Sequence, residues 1–217
     1  MRFGCLGCFV LLLLVGVVLA GGAVVIYLAG AIFDIPPMPQ ADYTPSDGHR
    51  AQQKLFELIL RDSHRSSRQD PVVITERELN AFLARHLEES EEIPLSPLVV
   101  KLSAGTIEVQ GKTTLKHLLK GFPFSLLQNS LPASTVDRPV WVTVGGTIQV
   151  ERRTERTQRR YGQLQVSEFS LGNQEMGAWL LSLLLGWPGQ TPLRWQVPAV
   201  VSAITIEDGR LIIATRK

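Results

Sequence analysis

The sequence predicts an α+β protein: an N-terminal transmembrane helix, then helices packed on a mostly antiparallel, curved sheet. Three observations carry this. Residues 9–33 are an unbroken apolar run without a single charge. Two segments before residue 90 repeat apolar side chains at helical spacing. From residue 98 onward the apolar period falls to two, broken by glycine-containing turns.

The apolar run is long enough to span a bilayer, which takes about 20 residues. Arg2 is the only charge before it, and Asp34, Asp42 and Asp47 follow. Positive charge stays cytoplasmic, so residues 1–8 form a cytoplasmic stub, 9–33 the anchor, 34–48 a Pro-rich linker, and 49–217 a single extracytoplasmic α+β domain. A cleaved secretory signal is the alternative, with small residues at 18–20 and 29–31 available before a cut. The run exceeds the usual signal core of about 7–15 residues, which favours a retained anchor. In either case the body lies outside the cytoplasm. Cys5 and Cys8 make a C-x-x-C at the mouth of the run. Two thiols do not complete a four-ligand zinc shell, and no βαβ unit stands nearby for a redox motif. The body has no cysteine, so no disulfide supports it.

The body holds 21 of the 22 Lys+Arg and 17 of the 20 Asp+Glu, a net charge of +4. That is compatible with anionic surfaces without demanding them. A first helix is expected over about 46–64, with Leu55, Phe56, Leu58 and Ile59 on its apolar side. A polar break follows, then a short strand at 72–74. Thr75-Glu76-Arg77-Glu78 is a capping box, and Leu79, Phe82, Leu83 and Leu87 give its helix one apolar face to about residue 88. The acidic stretch 88–92 reads as a solvated loop or, alternatively, a cation site, although it lacks the alternating spacing and glycine of a calcium loop. Residues 98–110 predict a hairpin with one greasy face. Residues 116–136, broken by Gly121, Pro123 and Pro132, are a broken helix or an apolar loop. A second long hairpin runs from 140 to 171, with a bulge or bend at Gly145-Gly146. A short, greasy helix follows around 176–185, and Asp208-Gly209 turns a last hairpin.

No catalytic constellation stands out. His49, His64, His86 and His117 include no zinc-protease pair. Asp62-Ser63-His64 has triad residue types but marks a helix end. Asn80 and His86 read as surface or satisfied polar groups. The chain is therefore expected to be non-enzymatic, with no metal, no cofactor and no nucleic-acid partner. Two features suggest binding. Arg152, Arg153, Arg156, Arg159 and Arg160 crowd one hairpin tip, either as a contact for phosphate head groups or another anionic envelope polymer, or as a solvated tip. Two greasy segments, 116–131 and 176–187, would line an apolar groove through Phe122, Phe124, Leu126, Leu127, Trp179, Leu180 and Leu184, or simply fill a core.

The helix start Ile74-Thr75-Glu76-Arg77-Glu78-Leu79-Asn80-Ala81-Phe82-Leu83, the strand pair holding Gly105-Thr-Ile-Glu-Val-Gln-Gly111 and the closing Ile206-Glu-Asp-Gly-Arg-Leu-Ile-Ile213 give a further lead. Together with the anchor they resemble small bacterial membrane-anchored envelope proteins of the YpmS-like kind. They are also distantly similar to the tubular lipid-binding superfamily. The resemblance implies a tethered domain that holds lipid in an elongated sheet wrapped on a helix. It carries no ligand residue over to this chain. The expected function is lipid or apolar-ligand binding in the cell envelope. The alternative is an assembly factor that docks an envelope protein partner through Trp179 and Trp187.

Overall fold

The computed structural model describes residues 30–37, 42–87, 95–119, 132–151, 160–184 and 193–216. The chain order is α1 (Pro45–Asp62), β1 (Val72–Thr75), α2 (Glu76–Leu87), β2 (Leu98–Ser103), β3 (Thr106–Thr114), α3 (Leu115–Leu118), α4 (Ala133–Val136), β4 (Pro139–Val150), β5 (Arg160–Leu171), β6 (Gln174–Met176), α5 (Ala178–Leu184), β7 (Arg194–Val197), β8 (Val201–Glu207) and β9 (Arg210–Thr215). The fold is α+β, and the strands described pair antiparallel throughout. Among the described residues no helix is long and apolar enough to cross a membrane; residues 9–29 of the expected anchor lie outside them.

The expected single curved sheet is instead two. One has three strands in the order β1-β9-β8; the other runs β2-β3-β4-β5-β6, with β7 also paired to β5. The closing hairpin pairs with β1 because Ile212 and Ile213 register against Val73 and Val72. Strands β6 and β7 are too short and too polar for a period-two pattern to reveal. The bulge falls between Gly145 and Gly146, as the glycine pair predicts.

The first helix starts at Pro45, inside the stretch expected to be linker. Proline suits the first helical turn because its missing N–H has no partner there anyway. Asp47 then accepts both the backbone N–H and the hydroxyl of Thr44, each at 2.7 Å. At the far end, the Arg65 N–H reaches Leu60 O at 2.9 Å and the His64 N–H reaches Arg61 O at 3.1 Å. This is a Schellman stop, with His64 at φ 59 in the place where glycine is usual. The capping box of α2 forms as expected: Glu78 accepts the Thr75 N–H at 2.9 Å while its own N–H donates to the Thr75 hydroxyl. Lys54 of α1 then closes on both Glu78 oxygens at 2.7 and 2.8 Å, locking the two helices together.

The large sheet has one greasy and one wet face. Val142 and Val144 register with Leu171 and Phe169 on the greasy side, and Thr143 with Ser170 on the other. Two different lids cover the greasy face. The small sheet and α2 cover one half, where Val100, Leu102, Leu164 and Ile206 pack with Leu79 and Leu83. Over the other half, Phe169, Val140 and Leu181 pack with Ile32, Phe33, Leu115, Leu118 and Leu180. A third cluster joins α1 to the small sheet through Leu58, Ile74, Val201 and Ile213.

Asn80 is a satisfied polar group, but a buried one at 2 % exposure. Its amide donates to Val100 O and accepts the Val100 N–H, both at 2.7 Å. Glu76 accepts the Leu102 N–H two residues on, also at 2.7 Å. Helix α2 thus supplies the edge strand β2 with the partners that a neighbouring strand would otherwise provide. Asn80→Ala leaves a buried N–H and C=O without partners, each costing about 1–3 kcal/mol. A loss of about 2–4 kcal/mol is expected in urea unfolding followed by tryptophan fluorescence.

The hydroxyl of Thr44, then its backbone N–H, then Arg50 hold the Asp47 carboxyl at about 2, below its ordinary 3.8. At Glu78 burial works to raise the value, but Lys54 and Thr75 outweigh it and the net direction is down. Both groups are more acidic folded than unfolded. Their stabilisation is present above the unfolded value, near pH 4, and is lost as pH falls toward 2. Asp47→Asn is expected to flatten this acid limb, measured as the urea midpoint against pH.

Candidate functional site

The pole where the apolar run meets the domain has the most specific construction. Residues 30–33 are helical and end on the turn between β5 and β6. The Asn173 N–H donates to Ala31 O at 2.9 Å. Ile32 and Phe33 enter the same cluster as Leu180, Leu181 and Met176. The Arg138 guanidinium lies over the Phe33 ring, 4.1 Å from its centroid. Gly172 allows this approach: it sits at φ +57, and a β-carbon there would collide with the carbonyls of Ala31 and Ile32. Helix α5 leaves from this pole. Leu180 and Leu181 face the core, while Trp179 is 70 % exposed and folds over Gly177.

Two clefts are lined mainly by polar residues, one beside the β5–β6 turn of this pole and one distant from it. One, of about 400 Å³, lies on the wet face of the large sheet beside Pro36 and Pro37, with Glu108, Gln110, Glu168 and Glu175 among its walls. Gln110 is 8 % exposed and donates to Glu108 at 2.6 Å. The other, of about 770 Å³, lies between the end of α1, the loop 63–69 and the β7–β8 turn. Arg61, Arg65, Arg68 and Arg216 line it with His64 and Asp62. Neither cleft is walled by the predicted apolar set. No group of three or more metal-ligating side chains occurs among the described residues.

The predicted site residues separate. Trp179 is at the surface as a binding role requires, but Leu180 is half-buried packing beneath it. Phe122, Phe124, Leu126 and Leu127 lie outside the described residues, as does the Leu184 side chain. Of the arginine cluster, Arg152, Arg153, Arg156 and Arg159 also lie outside them. Arg160 is corrected from a tip residue to the first residue of β5, half-buried, with a guanidinium N–H donated to Val201 O. It is ordered by the β5–β7 pairing, where it registers with Val197, a pairing that sequence period did not reveal. Sequence reading missed the cationic cleft. Its signal was Ser63-His-Arg-Ser-Ser-Arg-Gln69, basic and free of carboxylates, but Arg216 joins it only through the fold.

No family model, no curated protein and no solved structure matches the chain.

Gly172→Val forces a β-branched residue into the left-handed region and against the Ala31 and Ile32 carbonyls. The variant is expected to lose about 2 kcal/mol or more and to expose the bond after Phe33 to chymotrypsin, measured by urea unfolding and timed proteolysis of the full chain.

Proposed function

We propose that this chain is a single-pass membrane protein whose extracytoplasmic domain binds a lipid or another apolar ligand at its membrane-proximal pole, without catalysis. One observation carries the reading. The last residues of the apolar run, Ile32 and Phe33, belong to the same apolar cluster as helix α5, from which Trp179 projects at 70 % exposure. A run of this length without charge is a spanning segment by its sequence, and it would enter the domain here. Tryptophan favours the interfacial level of a bilayer. The tie from Ala31 to Asn173 also supports an anchor that is kept, since a cut after residue 31 would sever the chain at this contact. The resemblance to tethered lipid-binding envelope proteins points the same way.

The reading predicts that full-length protein, extracted in mild detergent, carries phospholipid in native mass spectrometry. Trp179→Ala should reduce that load several-fold at unchanged thermal stability. A clean lipid-free mass with no uptake of added phospholipid would overturn it. A second reading, docking of an envelope protein, is favoured by the same exposed indole, because tryptophan is enriched among interface hot spots. It requires that Trp179→Ala abolish partner capture while leaving lipid uptake intact.

A further inference from the structure

We propose that the cleft between the end of α1 and the β7–β8 turn is a binding site for a phosphate-bearing ligand. Its charge is the first reason. Arg65, Arg68 and Arg216 are exposed in its wall, and none of them has a carboxylate within 4 Å among the described residues. Three guanidinium groups facing one space repel each other, and an anion relieves that repulsion. Arginine forks match two oxygens of a phosphate at once.

The cleft is also built in advance. Arg61, 3 % exposed, spends its own charge on Glu57 at 3.2 Å and on Asp70 at 3.5 Å, and it donates to Asp70 O at 2.6 Å. The Ser66 hydroxyl donates to Glu57 at 2.6 Å. The Thr215 hydroxyl donates to Gln69 O at 3.4 Å. These bonds fix the loop 63–69 from three sides, so the exposed arginines project from a held frame. Asp62, the one carboxylate among the lining residues, accepts the Val200 N–H at 3.0 Å and so ties the opposite wall in place, and the arginines outnumber it. His64, which keeps a left-handed backbone that glycine would adopt at lower cost, is among the lining residues. A volume of about 770 Å³ exceeds what a bare ion needs and falls in the range of organic ligands.

The site lies far from the apolar pole. Arg160, at the start of β5, bonds to Val201 beside the cleft, while Leu171, at its end, adjoins the Gly172 turn on which Ala31 rests. Twelve strand residues span about 35 Å, several Debye lengths at physiological salt. The inference therefore stands apart from lipid binding at the anchored pole, and either can fail without the other.

The test uses full-length protein in phosphatidylcholine nanodiscs. Inorganic pyrophosphate is titrated by calorimetry, and vesicles containing phosphatidylglycerol are tested by co-flotation. Binding of one probe or both is expected, weakened by added salt, and reduced about ten-fold or more in Arg65→Gln/Arg68→Gln/Arg216→Gln. Arg210→Gln, which removes a charge already paired with Glu207, should leave it unchanged. Pyrophosphate binding alone marks a soluble phosphate as the source, and vesicle binding alone marks a lipid head group. Should the triple variant melt early, Arg216→Gln alone serves, with a reduction of about three-fold expected. Absence of binding to either probe, or equal binding by wild type and variant, overturns the proposal.

Discussion

Two strands of twelve residues present one apolar face about 35 Å long, and that face must be kept from water. Among the described residues no helix covers it alone. The chain uses two lids. The small sheet and α2 seat Leu79, Leu83 and Ile206 on one half. Residues 32–33, α3 and α5 seat Ile32, Phe33, Leu118 and Leu181 on the other. The second lid is made partly from the end of the hydrophobic run itself. The segment read as anchor and the segment read as domain are thus physically continuous, and a change in one is felt in the packing of the other.

The first lid depends on a polar join. Asn80 and Glu76 engage the backbone of β2 at Val100 and Leu102, where apolar packing alone would leave edge groups unbonded. The Lys54–Glu78 pair holds α1 against the same helix. Because Asn80 is buried and fully paired, it fixes the register of α2 on the sheet as well as adding stability; dispersion contacts from Leu79 and Leu83 would tolerate a shift that two 2.7 Å bonds to one residue do not.

The two lids give the molecule unlike poles. One is apolar, carries Trp179 and receives the hydrophobic run. The other gathers exposed arginines around a cleft whose loop is held by Glu57, Arg61 and Thr215. Strand length keeps them about 35 Å apart, several Debye lengths at physiological salt.

Local chemistry was sufficient wherever a signal is short-ranged. The capping box at Thr75 and Glu78, the Gly145-Gly146 bulge, the Asp208-Gly209 turn and the alternating strands were legible in order, because each depends on residues within a few positions. Pairing was not. That β1 joins the closing hairpin, that Arg160 belongs to a strand bonded to β7, and that Arg216 meets Arg65 and Arg68 depend on contacts between residues far apart in the chain. Exposure was undecided too: the sequence makes Trp179 and Leu180 equally greasy, and only the seating of α5 turns one outward and the other into the core. The sequence by itself determined the elements and the uncharged run, since these are properties of neighbouring side chains. The tertiary structure alone decided which faces were covered and which charges came together, because burial and proximity arise only when distant segments pack.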